Sequence, residues 1–170
     1  MAPILREYRP ADFEALYQLD QACYAPGIAY SRRMMREYLS LPGAICLVAE
    51  VKPEAELEAR ADAVKIAGFI LAEFEATEAH IITLDVAPEA RRQKLGTQLY
   101  LAIENALARR GVREILLETA TDNAAGVAFW SRHGYRTAGV IRNYYLRGKH
   151  AYAMSKRVHA DSAAAAAPEP

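Results

Sequence analysis

Ile81-Ile82-Thr83-Leu84-Asp85-Val86-Ala87-Pro88-Glu89-Ala90-Arg91-Arg92-Gln93-Lys94-Leu95-Gly96-Thr97 carries the most information in the chain. An apolar run of strand length ends at Pro88, and a basic cluster with one glycine follows. Leu95, Leu99, Ile103 and Leu107 then recur at helical spacing up to Gly111. The pattern is strand, turn and amphipathic helix. Free N–H groups and the positive end of the dipole at a helix start favour an anion. Arg91, Arg92 and Lys94 add point charges, and Gly96 lets the backbone approach closely. Phosphate binding and an ordinary solvated basic helix start both fit these residues. No Gly-Lys-Ser/Thr follows and no GxGxxG is present, so this is neither a Walker loop nor a dinucleotide fingerprint.

Upstream, Ile4 to Tyr8 alternates as an opening strand, and Asp12 heads a helix carrying Phe13, Leu16, Leu19 and Cys23. Pro26-Gly27 breaks the chain, Ser31 caps a second helix through Leu39, and Ala44 to Val51 is an apolar strand. Residues 52–63, rich in acids, read as a loop joining that strand to Val64–Glu75, and His80 to Val86 is the next strand. Downstream come a strand at Ile115–Thr119, a helix capped by Asp122 or Asn123 that stops at Gly134, and strands near Tyr135–Ile141 and Ala151–Val158. The order describes one mixed α/β domain over residues 1–158, a mostly antiparallel sheet flanked by helices. Residues 159–170, with five consecutive alanines, read as a frayed low-complexity tail.

The chain has 170 residues, 52% of them apolar, with 21 Lys+Arg balancing 21 Asp+Glu. That length suits one globular domain with its own core. Neutrality argues against nucleic acid as the main partner. The absence of an 18-residue apolar run argues against a membrane span, and the N-terminus lacks a signal-peptide pattern, so a cytoplasmic home is expected. The neutral sum hides a split. Glu50 to Glu89 holds ten acids against three Lys/Arg, whereas Asn123 to Ala160 holds seven Lys/Arg and no acid. Such a division suits an anionic ligand and a cationic amine meeting in one cleft, or simply two solvated faces. Cys23 and Cys46 are too far apart in context for a disulfide framework and read as buried structural thiols. The four histidines share no metal spacing and read as surface or edge residues.

The stretch from Val86-Ala87-Pro88 through Arg91 to Gly96 resembles the acetyl-CoA motif of the GNAT superfamily of N-acetyltransferases. Its pattern is Gln/Arg-x-x-Gly-x-Gly/Ala after a Val-x-Pro strand end. Lys94 departs from it by occupying the first glycine position. A left-handed backbone there costs a lysine about 1–2 kcal/mol; with a right-handed turn, its ammonium helps to hold a pyrophosphate. A second stretch, Asn123 to Tyr135, is similar to the Asn-x-x-Ala-x-x-Phe/Leu-Tyr-x-x-x-Gly-Phe helix of the same superfamily. Within it, Leu117-Glu118 and Arg142-Asn143-Tyr144-Tyr145 most resemble the bacterial ribosomal-protein alanine N-acetyltransferases.

The resemblance implies acetyl-CoA as cosubstrate and direct attack by an amine in a ternary complex, with no metal. It places Leu84, Asp85 and Val86 beside the acetyl group. Arg91, Arg92, Gln93, Lys94, Leu95, Gly96 and Thr97 would form the pyrophosphate turn, with Asn123 and Trp130 along the pantetheine arm. Glu118 matches the general base, and Tyr144 and Tyr145 line the acceptor slot. A carboxylate beside an apolar strand tends to a raised pKa. Asp85 is a second carboxylate, equally readable as an outward-facing residue of an alternating strand. Trp130 stands where the superfamily carries a tyrosine proposed to protonate the departing thiolate, and an indole N–H has no useful acidity. Three functions remain open: acetylation of a protein N-terminus such as a ribosomal-protein alanine, acetylation of a small-molecule amine or lysine side chain, and acyl-CoA sensing without turnover. A monomer or homodimer is compatible with each.

Overall fold

A computed structural model describes residues 3–51 and 65–158. The expected acidic loop, Val64 and the alanine tail lie outside the described residues. Seven strands form one sheet: β1 (Ile4–Glu7), β2 (Ala44–Val51), β3 (Lys65–Glu75), β4 (Glu78–Val86), β5 (Glu114–Ala120), β6 (Arg136–Ile141) and β7 (Ala151–Arg157). Their order is β1-β2-β3-β4-β5-β7-β6, antiparallel throughout except for the parallel pair β4–β5. The helices are α1 (Phe13–Cys23), α2 (Arg32–Leu39), α3 (Leu95–Ala108) and α4 (Ala124–Arg132). All of them, and all of the strands, fall within a few residues of their sequence-based positions. None is long and apolar enough to cross a membrane among the described residues.

Ala67 to Ala72 of β3 are all buried, so this strand is covered on both faces, and α1 and α3 both pack on it. The repeat seen in the sequence places Leu95, Leu99, Ile103 and Leu107 of α3 in the core beside Phe69, Ile70 and Ile115. At roughly 1.5–3 kcal/mol for each large apolar side chain, these contacts dominate the fold's stabilisation. Helix ends follow their caps. Ser31 Oγ accepts from the Met34 N–H at 3.2 Å, and Asn123 Oδ1 accepts from the Gly126 N–H at 3.0 Å. Gly134 takes φ +90° just after α4, a conformation open to glycine at no steric cost.

Asp12 does more than complement a helix dipole. Its buried carboxylate accepts the Arg6 guanidinium at 2.7 and 2.9 Å and the Arg9 N–H at 2.7 Å, which ties β1 to the entry of α1. Strand β6 is exposed along its whole length, and Tyr135, expected within it, is instead buried just before it.

Candidate active site

The site originates in one irregularity of the sheet. Strands β4 and β5 pair only from Glu78↔Glu114 to Ile81↔Leu117, although β4 continues to Val86 and β5 to Ala120. At the point of parting, β4 carries a bulge: Leu71 of β3 faces Thr83 and Ala72 faces Ile81, so Ile82 is the extra residue. Beyond it, the edge of β4 is open towards β5. The carbonyls of Ile82, Leu84 and Val86 accept from Tyr30 OH at 3.0 Å, Tyr24 OH at 3.3 Å and Arg91 Nε at 3.1 Å. In an extended strand a residue's N–H and C=O point to the same side, so the N–H groups of Leu84 and Val86 face the gap as well.

A cavity of about 720 Å³ fills this gap, running from the basic turn past β4 and β5 to Glu118, Tyr30 and Tyr145. Arg91, Arg92, Lys94, Leu95, Gly96 and Thr97 line one end of it. Gln93 does not; its amide donates back to the Glu89 carbonyl at 3.2 Å. Lys94 adopts φ 62°, ψ 8° and Arg92 φ 62°, both left-handed, which settles the alternative left open by the sequence. Lysine therefore carries strain there, about 1–2 kcal/mol. A Cβ at Gly96 would rest in ordinary contact with Phe129 and Val86 at 3.6 Å.

Leu84, Val86, Asn123 and Trp130 also line the cavity. The Trp130 ring also packs edge-on against Tyr100 and Tyr135, at centroid distances of 5.7 and 5.4 Å. Asp85 behaves differently. It is 1% exposed and its side chain lies off the cavity, contrary to the outward-facing reading. Asp85 Oδ1 accepts from Thr83 Oγ1 at 2.7 Å, and Oδ2 has no partner. Burial pushes this carboxyl up to about 7, with the charge of nearby Asp20 adding to the rise. Asp20 is itself fully buried and held near 6.

Glu118 sits immediately past the last residue of β5 that pairs with β4 and lines the cavity. Its Oε2 contacts His80 Nε2 at 2.6 Å and accepts from Tyr144 OH at 3.1 Å. The His80 hydrogen bond lowers the Glu118 pKa, burial opposes it, and Tyr144 adds to the lowering. The net direction is down, which corrects the rise expected from the apolar strand. That expectation counted desolvation and overlooked the partner on the next strand. His80 is correspondingly not a bystander. Burial disfavours its imidazolium, but Glu118, Glu73 and Glu78 outweigh that, and its pKa ends above the ordinary value.

Tyr145 lines the cavity, while Tyr144 reaches it through Glu118, the two rings crossing edge-on at 4.9 Å. Their turn is fixed by the Asn143 N–H donating to His150 Nδ1 at 3.0 Å and by Lys149 pairing with Asp122 at 2.9 Å. Cys46 is buried as expected. Cys23 is half-buried at the cavity wall, with its Sγ donating to the Val86 carbonyl at 3.4 Å. His133 is half-buried against Phe129 and Tyr100. Tyr24, Tyr30 and His80 were missed from the sequence. Only the pairing of β4 with β5, and of the α1–α2 connection with β4, identifies them.

A parted parallel strand pair, a basic turn at a helix start and a carboxylate at the far end are features of a site for transfer from an anionic donor. Residues 13–135 match the acetyltransferase (GNAT) family. The chain belongs to that family. Several named acetyltransferases are similar to it. The Escherichia coli ribosomal protein bS18-alanine N-acetyltransferase is 35% identical over 81 residues, 48% of this chain and 55% of that protein. N-alpha-acetyltransferase 30 of Schizosaccharomyces pombe is 36% identical over 73 residues, 43% of this chain and 49% of that protein. The chain thus spans about half the length of these curated relatives. The crystal structure of the E. coli enzyme superposes with a TM-score of 0.78 at 23% identity, covering 91% of this chain and 93% of that one. Arabidopsis thaliana NAA60 in complex with acetyl-CoA gives a TM-score of 0.78 at 16% identity, covering 92% and 99%. Those two superpositions establish the GNAT fold over nearly the whole chain.

Proposed function

We propose that this acetyltransferase moves the acetyl group of acetyl-CoA to the α-amine of a protein N-terminus, in the cytoplasm, with residues 1–158 as its catalytic unit. The E. coli relative suggests a ribosomal-protein alanine as the acceptor. The observation that carries the reading is the His80–Glu118–Tyr144 cluster at the point where β4 and β5 part.

In this reading the basic turn from Arg91 to Thr97 holds the pyrophosphate, and Asn123 contacts the pantetheine arm. The N–H groups of Leu84 and Val86 stabilise the acetyl oxygen as negative charge develops on it, the arrangement that contributes most to acyl transfer. Holding both reactants in one cleft supplies several kcal/mol more through alignment. The ionised Glu118 attracts the incoming ammonium and accepts its proton, while the His80 N–H donates to the same carboxylate and holds it in place. Magnitudes favour an α-amine over lysine. An α-amine titrates near 7.7–8.0 and lysine near 10.4, against about 4.3 for an ordinary glutamate. Glu118 is held below that value, so both transfers are uphill, and lysine's is uphill by about 2.5 units more than an α-amine's. Tyr30 and Tyr145 would flank the acceptor.

The test is release of free CoA with a panel of N-terminal peptides, lysine peptides and small amines, with mass spectrometry locating the acetyl group. Turnover is expected on α-amines, with Glu118→Gln lowering kcat at least 100-fold at pH 7 and leaving acetyl-CoA affinity intact. Preference for small amines, or an unchanged rate in Glu118→Gln, overturns the assignment.

A further inference from the structure

Departure of the CoA sulfur requires a proton, and Trp130 cannot donate one. We propose that Tyr24, supplied through Thr83 by the buried Asp85 carboxyl, is the group that protonates the departing thiolate. This rests on the acetyl-transfer reading above. The inference comes from a hydrogen-bonded chain behind the wall of the cleft. Tyr24 lines the cavity, and its hydroxyl lies 3.3 Å from the Leu84 carbonyl, on the open edge that would hold the acetyl group. The same hydroxyl is 3.4 Å from Thr83 Oγ1, where either oxygen can donate, and Thr83 Oγ1 is 2.7 Å from Asp85 Oδ1. Asp85 is 1% exposed and keeps one oxygen unpartnered. A buried carboxylate with an empty acceptor is costly, whereas a carboxyl in the acid form is at ease there.

The chain works in one direction. As the amine nitrogen bonds to the acetyl carbon, the carbon–sulfur bond breaks and its electron pair goes to sulfur. Tyr24 gives its hydroxyl proton to that sulfur and takes one from Thr83, and Thr83 takes one from Asp85, whose acid form reverses the hydrogen bond that Thr83 Oγ1 donates to the ionised carboxylate. The proton lost by the amine leaves through Glu118, so acetyl-CoA and amine become CoA thiol and amide with no oxidant or reductant. Asp85 regains its proton once the products have left.

Tyr24 alone is a poor acid, since burial holds its phenol well above the ordinary value. The carboxyl behind it makes the transfer favourable: it sits near 7, against a thiol near 8.5. The groups facing Asp85 are Asp20 and Cys23 from α1, Tyr24 just beyond it, Cys46 from β2, Thr83 on its own strand and Arg91 from the basic turn. Asp20 raises its pKa and Arg91 lowers it. Asp85 never touches the substrate and acts only through Tyr24.

The experiment measures kcat, KM for acetyl-CoA, the solvent deuterium isotope effect and the pH profile in Tyr24→Phe and Asp85→Asn, with Glu118→Gln in parallel. Tyr24→Phe is expected to lower kcat 10- to 100-fold, with KM for acetyl-CoA within threefold. In the wild type, kcat should fall above about pH 7 as Asp85 ionises, and Asp85→Asn should remove that limb. Stabilisation by acetyl-CoA in thermal melts reports that each variant folds and binds. An undiminished kcat in folded Tyr24→Phe, or an unchanged alkaline limb in Asp85→Asn, overturns the proposal. An active Glu118→Gln beside an impaired Tyr24→Phe would instead overturn the base assignment and leave the acid standing.

Discussion

Replacing Asp85 by asparagine tests the buried carboxyl independently of any catalysis, because its effect on stability must change with pH. In the folded protein Asp85 titrates near 7, whereas in the unfolded chain it titrates near 3.9. The folded state therefore binds the extra proton between those values. Stability from this group is fully present below pH 4 and is lost as pH rises through 7. The shift of about 3 units corresponds to about 4 kcal/mol, an upper figure because Asp20 is coupled to it. Asparagine cannot ionise, so it avoids this loss. Its carbonyl can keep the Thr83 hydrogen bond, but its NH₂ inherits the position of the unpartnered Oδ2 and costs about 1–3 kcal/mol. The two terms oppose each other, and their balance shifts with pH. At pH 5, about one unit above the unfolded value, about 1.5 kcal/mol of that stability is already lost, so the variant should lie between about 1.5 kcal/mol less stable and about 0.5 kcal/mol more stable than wild type. At pH 8.5 it should be equal or more stable, by up to about 3 kcal/mol. Urea denaturation at both pH values, with equal m, reads the difference directly. A stability difference that is the same at pH 5 and pH 8.5 would falsify the claim that Asp85 is protonated in the folded state.

Two further substitutions probe the cofactor end. Lys94→Gly should relieve about 1–2 kcal/mol of left-handed strain and return about 0.5–1 kcal/mol through the freer unfolded chain, raising Tm by about 1–4 °C. Loss of the ammonium should raise KM for acetyl-CoA a few-fold in the same variant; a fall in Tm would show that the turn is not strained. Gly126→Ala places a Cβ 2.5 Å from Asn123 Nδ2 and 3.1 Å from Thr119 Oγ1, so Asn123 must move. The lost cap of about 1 kcal/mol and the gained helix propensity of about 1 kcal/mol nearly cancel. Tm should therefore stay within about 3 °C while KM for acetyl-CoA rises several-fold, and an unchanged KM would remove Asn123 from the binding site.

The secondary structure was readable because each element has a local signature. The leucine spacing of α3, the caps at Ser31 and Asn123 and the glycine after α4 act within a few residues of themselves. The basic turn was readable for the same reason. What the sequence did not disclose depends on pairing across the sheet. Nothing in the vicinity of His80 indicates that β4 runs parallel to β5 and brings Glu118 against it, and that contact reverses the direction of the Glu118 shift. The bulge at Ile82 has no residue type that announces it. Asp85 alternates in sequence with apolar neighbours and looks outward-facing, but helix α1 covers its face of β4, so the alternation misleads. Tyr24 and Tyr30 lie in a stretch with no periodicity, and only the open edge of β4 gives their hydroxyls a purpose.

That edge also has a selectivity of its own. Two strands that part inside a sheet leave an internal groove which an extended chain could enter and zip into, pairing donor to acceptor along its length. Here the acceptors are already taken, by Tyr30, Tyr24 and Arg91 on the carbonyls of Ile82, Leu84 and Val86. Only donors remain on offer. A guest bearing carbonyls finds partners there, while the amide N–H groups of an intruding strand find none. On its β4 wall the groove is therefore chemically one-handed: it offers donors to carbonyl oxygens and holds its acceptors back from the N–H groups of an added strand, to which an open sheet edge would otherwise be exposed.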